Sequence, residues 1–147
     1  MAIMEAERTI GEYGMTITDE KGHQMIIDIP VDQGGNGSGF RPMQTVLAAF
    51  SGCSSADVVS ILKKQRQDLK GLKIHVDGHR EAGKEPSLWE KVHAKFEISG
   101  EVDPLKGYRA AELSVMKYCS VAETLRRAGA TISFEVYVNG KKVESSN

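Results

Sequence analysis

A chain of 147 residues, 40% hydrophobic and 27% charged, has the composition of one ordinary soluble domain with a core of its own. Its formal net charge of −1 gives no electrostatic reason to expect nucleic acid or an anionic membrane as partner. With two cysteines, a structural disulfide framework is not expected in a reducing compartment; if the two thiols matter, they matter chemically. Met1–Arg8 carries acidic residues where a signal peptide has basic ones, and no apolar run reaches the roughly 18 residues that cross a bilayer. The expectation is a cytoplasmic protein.

In chain order, Arg8–Gly11, Met15–Thr18 and Gln24–Ile29 are β-prone runs broken by Gly11, Gly14 and the turn Asp19–Gly22. The glycine-rich stretch Pro30–Gly39 follows. It lacks the lysine and hydroxyl of GxxxxGK[ST] and matches no GxGxxG in a β-turn-α frame, so it reads as a flexible connection rather than a phosphate cradle. Pro42 then suits the first turn of a helix, where its missing N–H costs nothing. From there to about Gln67 the only glycine is Gly52, and Val46, Leu47, Phe50, Cys53, Val58, Val59, Ile61 and Leu62 recur at three- and four-residue spacings. A segment so apolar on most sides predicts a long buried helix. Ser51, Gly52, Ser54, Ser55 and Ala56 keep the space around Cys53 small-sided.

Leu72, Ile74 and Val76 alternate with Lys73, His75 and Asp77, and Val92, Ala94, Phe96 and Ile98 repeat the pattern after a polar loop, Arg80–Pro86. Both predict strands of an antiparallel sheet with one buried face. Asp103–Tyr108 opens a second helical region running to about Met116, with a break at Tyr118-Cys119. Ser120 and Glu123 fit a capping box for a short helix that stops at Gly129. Thr131–Val138 alternates again, and Asn139-Gly140 turns into a polar tail. Strands, long helix, strands, helices and strand make an α+β domain.

The candidate chemistry is sulfur chemistry. Cys53 and Cys119 are too far apart in sequence for CxxC redox or zinc spacing. Cys53 reads either as a small buried hydrophobe or as a reactive thiol. Cys119, one residue before the expected N-cap, stands where free N–H groups and the helix dipole would lower a thiol pKa. Asp57, one turn after Cys53, is either a structural hydrogen-bond acceptor or a neighbour of the thiol. His75 and His93 lie on polar strand faces and could face one another; with His79 they read as solvated strand histidines, not a zinc site. Trp89 is a packing residue.

Leu47-Ala-Ala-Phe-Ser-Gly-Cys53, led by Pro42, and Tyr118-Cys119-Ser-Val-Ala-Glu-Thr-Leu125 resemble the two cysteine segments of the OsmC/Ohr family, and the likeness spans nearly the whole chain. The resemblance implies one OsmC-like domain over residues 1–147. Its antiparallel sheets would pack around a long buried helix, and the chain would intertwine into a homodimer with active sites at the interface. It implies a cysteine-based peroxidase of oxidative-stress defence acting on organic hydroperoxides. Cys53 would attack, Cys119 would resolve as a disulfide, and a dithiol would restore both; no cofactor or metal is implied. Arg41 would be an activator of the thiolate and Gln44 a polar neighbour. Two departures from the family pattern support a second reading, a non-enzymatic or small-ligand-binding dimer. Met43 stands where the peroxidases have glutamate after the proline, and Gly11–Met15 lacks their arginine.

Overall fold

The computed structural model describes residues 1–145, which form two compact units, residues 1–46 and residues 47 onward. The first unit is an antiparallel meander of β1 (Met4–Ile10), β2 (Gly14–Asp19) and β3 (Gln24–Ile27). Its turns fall where the sequence breaks the β pattern. Gly11 takes a φ of +56°, and the Asp19 carboxylate accepts the backbone N–H groups of Lys21 and His23.

The glycine-rich stretch after β3 is organised by one carboxylate, which corrects the expectation of a flexible connection. Asp28, 1% exposed, accepts the N–H of Ile29 on Oδ1; on Oδ2 it accepts the N–H groups of Asn36 and Ser38 and the Ser38 hydroxyl, the last at 2.6 Å. Glycines let the backbone close around that acceptor: an added Cβ at Gly35 would sit on the carbonyl of Ile29. The Ser38 hydroxyl and these N–H groups hold the Asp28 pKa at about 2, below its ordinary value of 3.8. A depressed carboxylate pKa contributes stability that is present above pH 3.8 and is lost as pH falls toward 2. Acid titration of wild type and Asp28→Asn checks this. The variant is less stable at neutral pH, and the difference shrinks through that window; a constant difference would contradict the assignment.

Helix α1 (Pro42–Lys64) joins the two units. Pro42 opens it as expected, and Gln44 caps it, its Oε1 accepting the N–H of Arg41 at 3.1 Å. It ends three residues short of Gln67 because Arg66 takes a left-handed φ of +58° and the Gln67 N–H turns back to the carbonyl of Leu62. Only Phe50, Ser54, Val58 and Leu62, spaced four apart, are buried. The expectation of a helix buried on most sides is therefore corrected: one stripe is covered, and Val59 remains 44% exposed. By length and composition α1 is also apolar enough to cross a bilayer, which corrects the reading that no stretch reaches that length. Weakly apolar Ala, Gly, Ser and Thr extend the run without adding charge. The same properties suit a core helix, and here the stripe of α1 is core.

The second unit is a four-stranded sheet in the order β4 (Asp68–Arg80), β5 (Trp89–Glu101), β6 (Thr131–Val138) and β7 (Lys141–Val143). β4 and β5 pair antiparallel over their length, with Val92, Ala94, Phe96 and Ile98 buried as the alternation predicts. β5 and β6 run parallel, which the antiparallel expectation missed. The connection between them is long enough for a crossover: α2 (Pro104–Leu113), a π turn (Ser114–Tyr118) and α3 (Ser120–Arg127). The polar tail after Asn139-Gly140 contributes β7, too short and lysine-rich to show as a strand in sequence. Asp103 caps α2 by accepting the Lys106 N–H, and Gly107 lets α2 approach β6, where a Cβ would meet Val138 at 2.9 Å. Register separates the histidines: His75 lies opposite Lys95 and His93 opposite Asp77, so the two do not face each other.

Candidate functional site

Within α1, Cys53 and Asp57 are four residues apart and so project from adjacent turns of one face, beside the buried Ser54. The opposing wall is the π turn. Its widened loop closes with the N–H of Cys119 on the carbonyl of Ser114, five residues back, at 2.8 Å. That turn presents both its ends to α1. Ser114 Oγ donates to Asp57 Oδ2 at 2.9 Å, and Ser54 Oγ donates to Cys119 Sγ at 3.6 Å. Cys119 itself caps α3, its sulfur accepting the N–H of Ala122 at 3.4 Å. The expected Ser120–Glu123 capping box is thus displaced by one residue. Glu123 instead pairs with Arg126 and Arg127.

The result is a compact cluster. The sulfur atoms of Cys53 and Cys119 and a carboxylate oxygen of Asp57 all lie within 4.8 Å of one another, and both cysteines are free. They differ in access: Cys119 is 2% exposed, whereas Cys53 is half-buried. Burial pushes the Cys119 thiol pKa up, and the Ala122 N–H and Ser54 hydroxyl offset this only in part; the Cys53 thiol beside it adds to the rise. The expectation that the helix terminus would lower this pKa is corrected, because desolvation outweighs one N–H donor.

Two open depressions flank the cluster. One, of about 480 Å³, is lined by Asp57, Ile61, Leu113 and Tyr118 among others; the second, of about 330 Å³, reaches Cys119 past Tyr118 and Ser120. The first also has Ser60, Lys64 and Gln65 in its wall, and the second Lys117, Glu123 and Arg127. Among the described residues no histidine joins this cluster; His75 bonds Glu97 at 2.9 Å and His93 bonds Ser133 at 2.8 Å on the sheet.

The structure brings together Cys53 and Cys119 but leaves Arg41 and Gln44 at the start of α1. Along the helix axis Arg41 precedes Cys53 by about 18 Å of rise, farther than its side chain extends. Gln44 is engaged in capping. Asp57 takes both roles considered for it, acceptor from Ser114 and neighbour of the thiols. Ser54 and Ser114 were not foreseen as site residues. The apolar spacing on either side of Ser54 is the one signal that pointed to a buried serine, and Ser114 had none.

A family model for OsmC-like proteins matches residues 35–135, which carry both cysteines and Asp57. Protein YhfA of Escherichia coli K12 is 38% identical over 130 residues, covering 84% of this chain and 91% of its own. The solved structure of a hypothetical protein from Aquifex aeolicus VF5 superposes with a TM-score of 0.77 at 30% identity, covering 95% of this chain and 98% of that one. An organic hydroperoxide resistance protein OsmC from Legionella pneumophila shares the fold, with a TM-score of 0.72 at 16% identity over 94% of this chain and 97% of its own. Sequence, fold and paired cysteines agree: the chain belongs to the OsmC/Ohr family.

Proposed function

We propose that the chain is a cysteine-based peroxidase for organic hydroperoxides. The observation that carries this is the thiol pair, two free sulfurs within 4.8 Å with unequal exposure. The half-buried Cys53 attacks as thiolate the terminal oxygen of the hydroperoxide. The O–O bond breaks, the alcohol leaves with a proton, and Cys53 becomes a sulfenic acid. Cys119 then attacks that sulfur; an S–S bond forms and water departs. A dithiol returns two electrons and restores both thiols. The depression beside Asp57 offers such a substrate the side chains of Ile61, Leu113 and Tyr118 together with the polar Ser60, Lys64 and Gln65.

The apolar surface that α1 leaves uncovered favours a homodimer, in which Arg41 and Gln44 would serve the thiols of a second copy. A second reading, a ligand-binding protein without turnover, draws on Met43 and on the lack of arginine in Gly11–Met15. Hydroperoxide consumption with dithiothreitol as the dithiol separates the two. Multiple turnovers with cumene hydroperoxide, abolished in Cys53→Ser, support the peroxidase; consumption no faster than dithiothreitol alone removes it.

A further inference from the structure

The cluster contains one group that disulfide chemistry does not need. Forming and breaking an S–S bond takes two sulfurs, yet Asp57 brings a carboxylate oxygen to within 4.8 Å of both. Three groups that are anionic when ionised thus converge, an arrangement that a bound cation would complete.

We propose that the reduced Cys53–Cys119 pair and Asp57 form a binding site for one borderline-soft divalent cation, with Zn²⁺ as the best match. Two thiolates select against Mg²⁺ and Ca²⁺, which take oxygen ligands, and a single carboxylate with two sulfurs suits Zn²⁺. In a tetrahedral zinc site with bonds of about 2.3 Å to sulfur and about 2.0 Å to oxygen, ligand atoms stand roughly 3.5–3.8 Å apart. The cluster therefore needs to contract by about 1.3 Å at most, within the reach of side-chain rotation. Ser114 supplies the outer hydrogen bond that fixes a ligating carboxylate, donating to Asp57 Oδ2 at 2.9 Å. Three protein ligands leave the fourth position open, as in zinc sites that exchange water for substrate. Binding would displace the thiol protons, about two per metal. The bound metal would hold both sulfurs reduced; a hydroperoxide that takes two electrons from the thiolates, leaving as alcohol and water, would form the disulfide and release the metal. The site rests on the cluster's geometry alone and does not depend on peroxidase turnover.

The test is an anaerobic titration of the fully reduced protein with Co²⁺, followed by displacement with Zn²⁺. The expected result is one Co²⁺ per chain with thiolate charge-transfer absorption and tetrahedral visible bands, lost on adding Zn²⁺. Ser114→Ala should weaken binding by about 10-fold or more, and Asp57→Asn by more than that. In wild type, Zn²⁺ should also protect both thiols from alkylation, a readout that needs no variant to fold. Absence of the absorption bands, or alkylation unaffected by Zn²⁺, overturns the site; undiminished affinity in correctly folded Asp57→Asn overturns the carboxylate as ligand. Because no peroxide is present, metal binding and peroxidase turnover succeed or fail separately.

Discussion

Cys53→Ser loses the reaction with organic hydroperoxide, while Cys119→Ser keeps its first half. With one equivalent of cumene hydroperoxide, Cys119→Ser should gain the mass of a single oxygen and label with a sulfenic acid probe. Cys53→Ser should keep its remaining thiol, with an initial rate lower by at least about 10²-fold, because removing a nucleophile removes the step. The asymmetry follows from access and desolvation. Cys119 is almost fully buried, its pKa is raised by that burial, and its sulfur already caps α3 through the Ala122 N–H. Cys53 shares the cluster but is half-buried. Equal loss of the first oxidation in both variants would assign the attack wrongly, and a sulfenic acid on Cys119 in Cys53→Ser would reverse the roles.

Phe50→Ala should destabilise the protein by roughly 3–5 kcal/mol, the range for emptying a fully buried aromatic site. Phe50 is 0% exposed and heads the stripe Phe50, Ser54, Val58, Leu62, through which α1 is seated in the core. At about 2–4 °C per kcal/mol for a chain of this size, the thermal midpoint should fall by roughly 6–20 °C. The same stripe carries Ser54, whose hydroxyl reaches Cys119. Loosening the helix should therefore also slow disulfide closure in protein that is still folded. A loss below about 1 kcal/mol, measured by denaturant unfolding, would show that the stripe is not where α1 gains its stability.

Periodicity made the secondary structure legible where one face of an element is buried. The alternation in Leu72–Val76, Val92–Ile98 and Ile132–Val138 reports a sheet with one covered face, and all three runs lie in strands. Pairing direction is another matter. Whether β6 runs with or against β5 depends on the crossover through α2 and α3, not on the local pattern of Thr131–Val138. The paired cysteines were legible through the segments around Cys53 and Cys119, but the sequence could not show that their sulfurs meet. Their meeting rests on the π turn, a five-residue closure between Ser114 and Cys119 that no spacing rule marks. Local rules also misjudged Cys119. Free N–H groups at a helix start are a sequence-level signal, whereas the burial that outweighs them comes from tertiary packing. Asp28 shows the same limit: glycines announce a loop, and the carboxylate that organises it becomes visible only once the backbone has closed around it.

The most direct measurement of the central claim is the intact mass and free-thiol count of the reduced wild-type protein after one equivalent of cumene hydroperoxide. The account predicts the loss of two hydrogens, disappearance of both thiols, and an intramolecular Cys53–Cys119 disulfide in the peptide map. Two surviving thiols, or stable overoxidation of Cys53 with Cys119 still free, would contradict it.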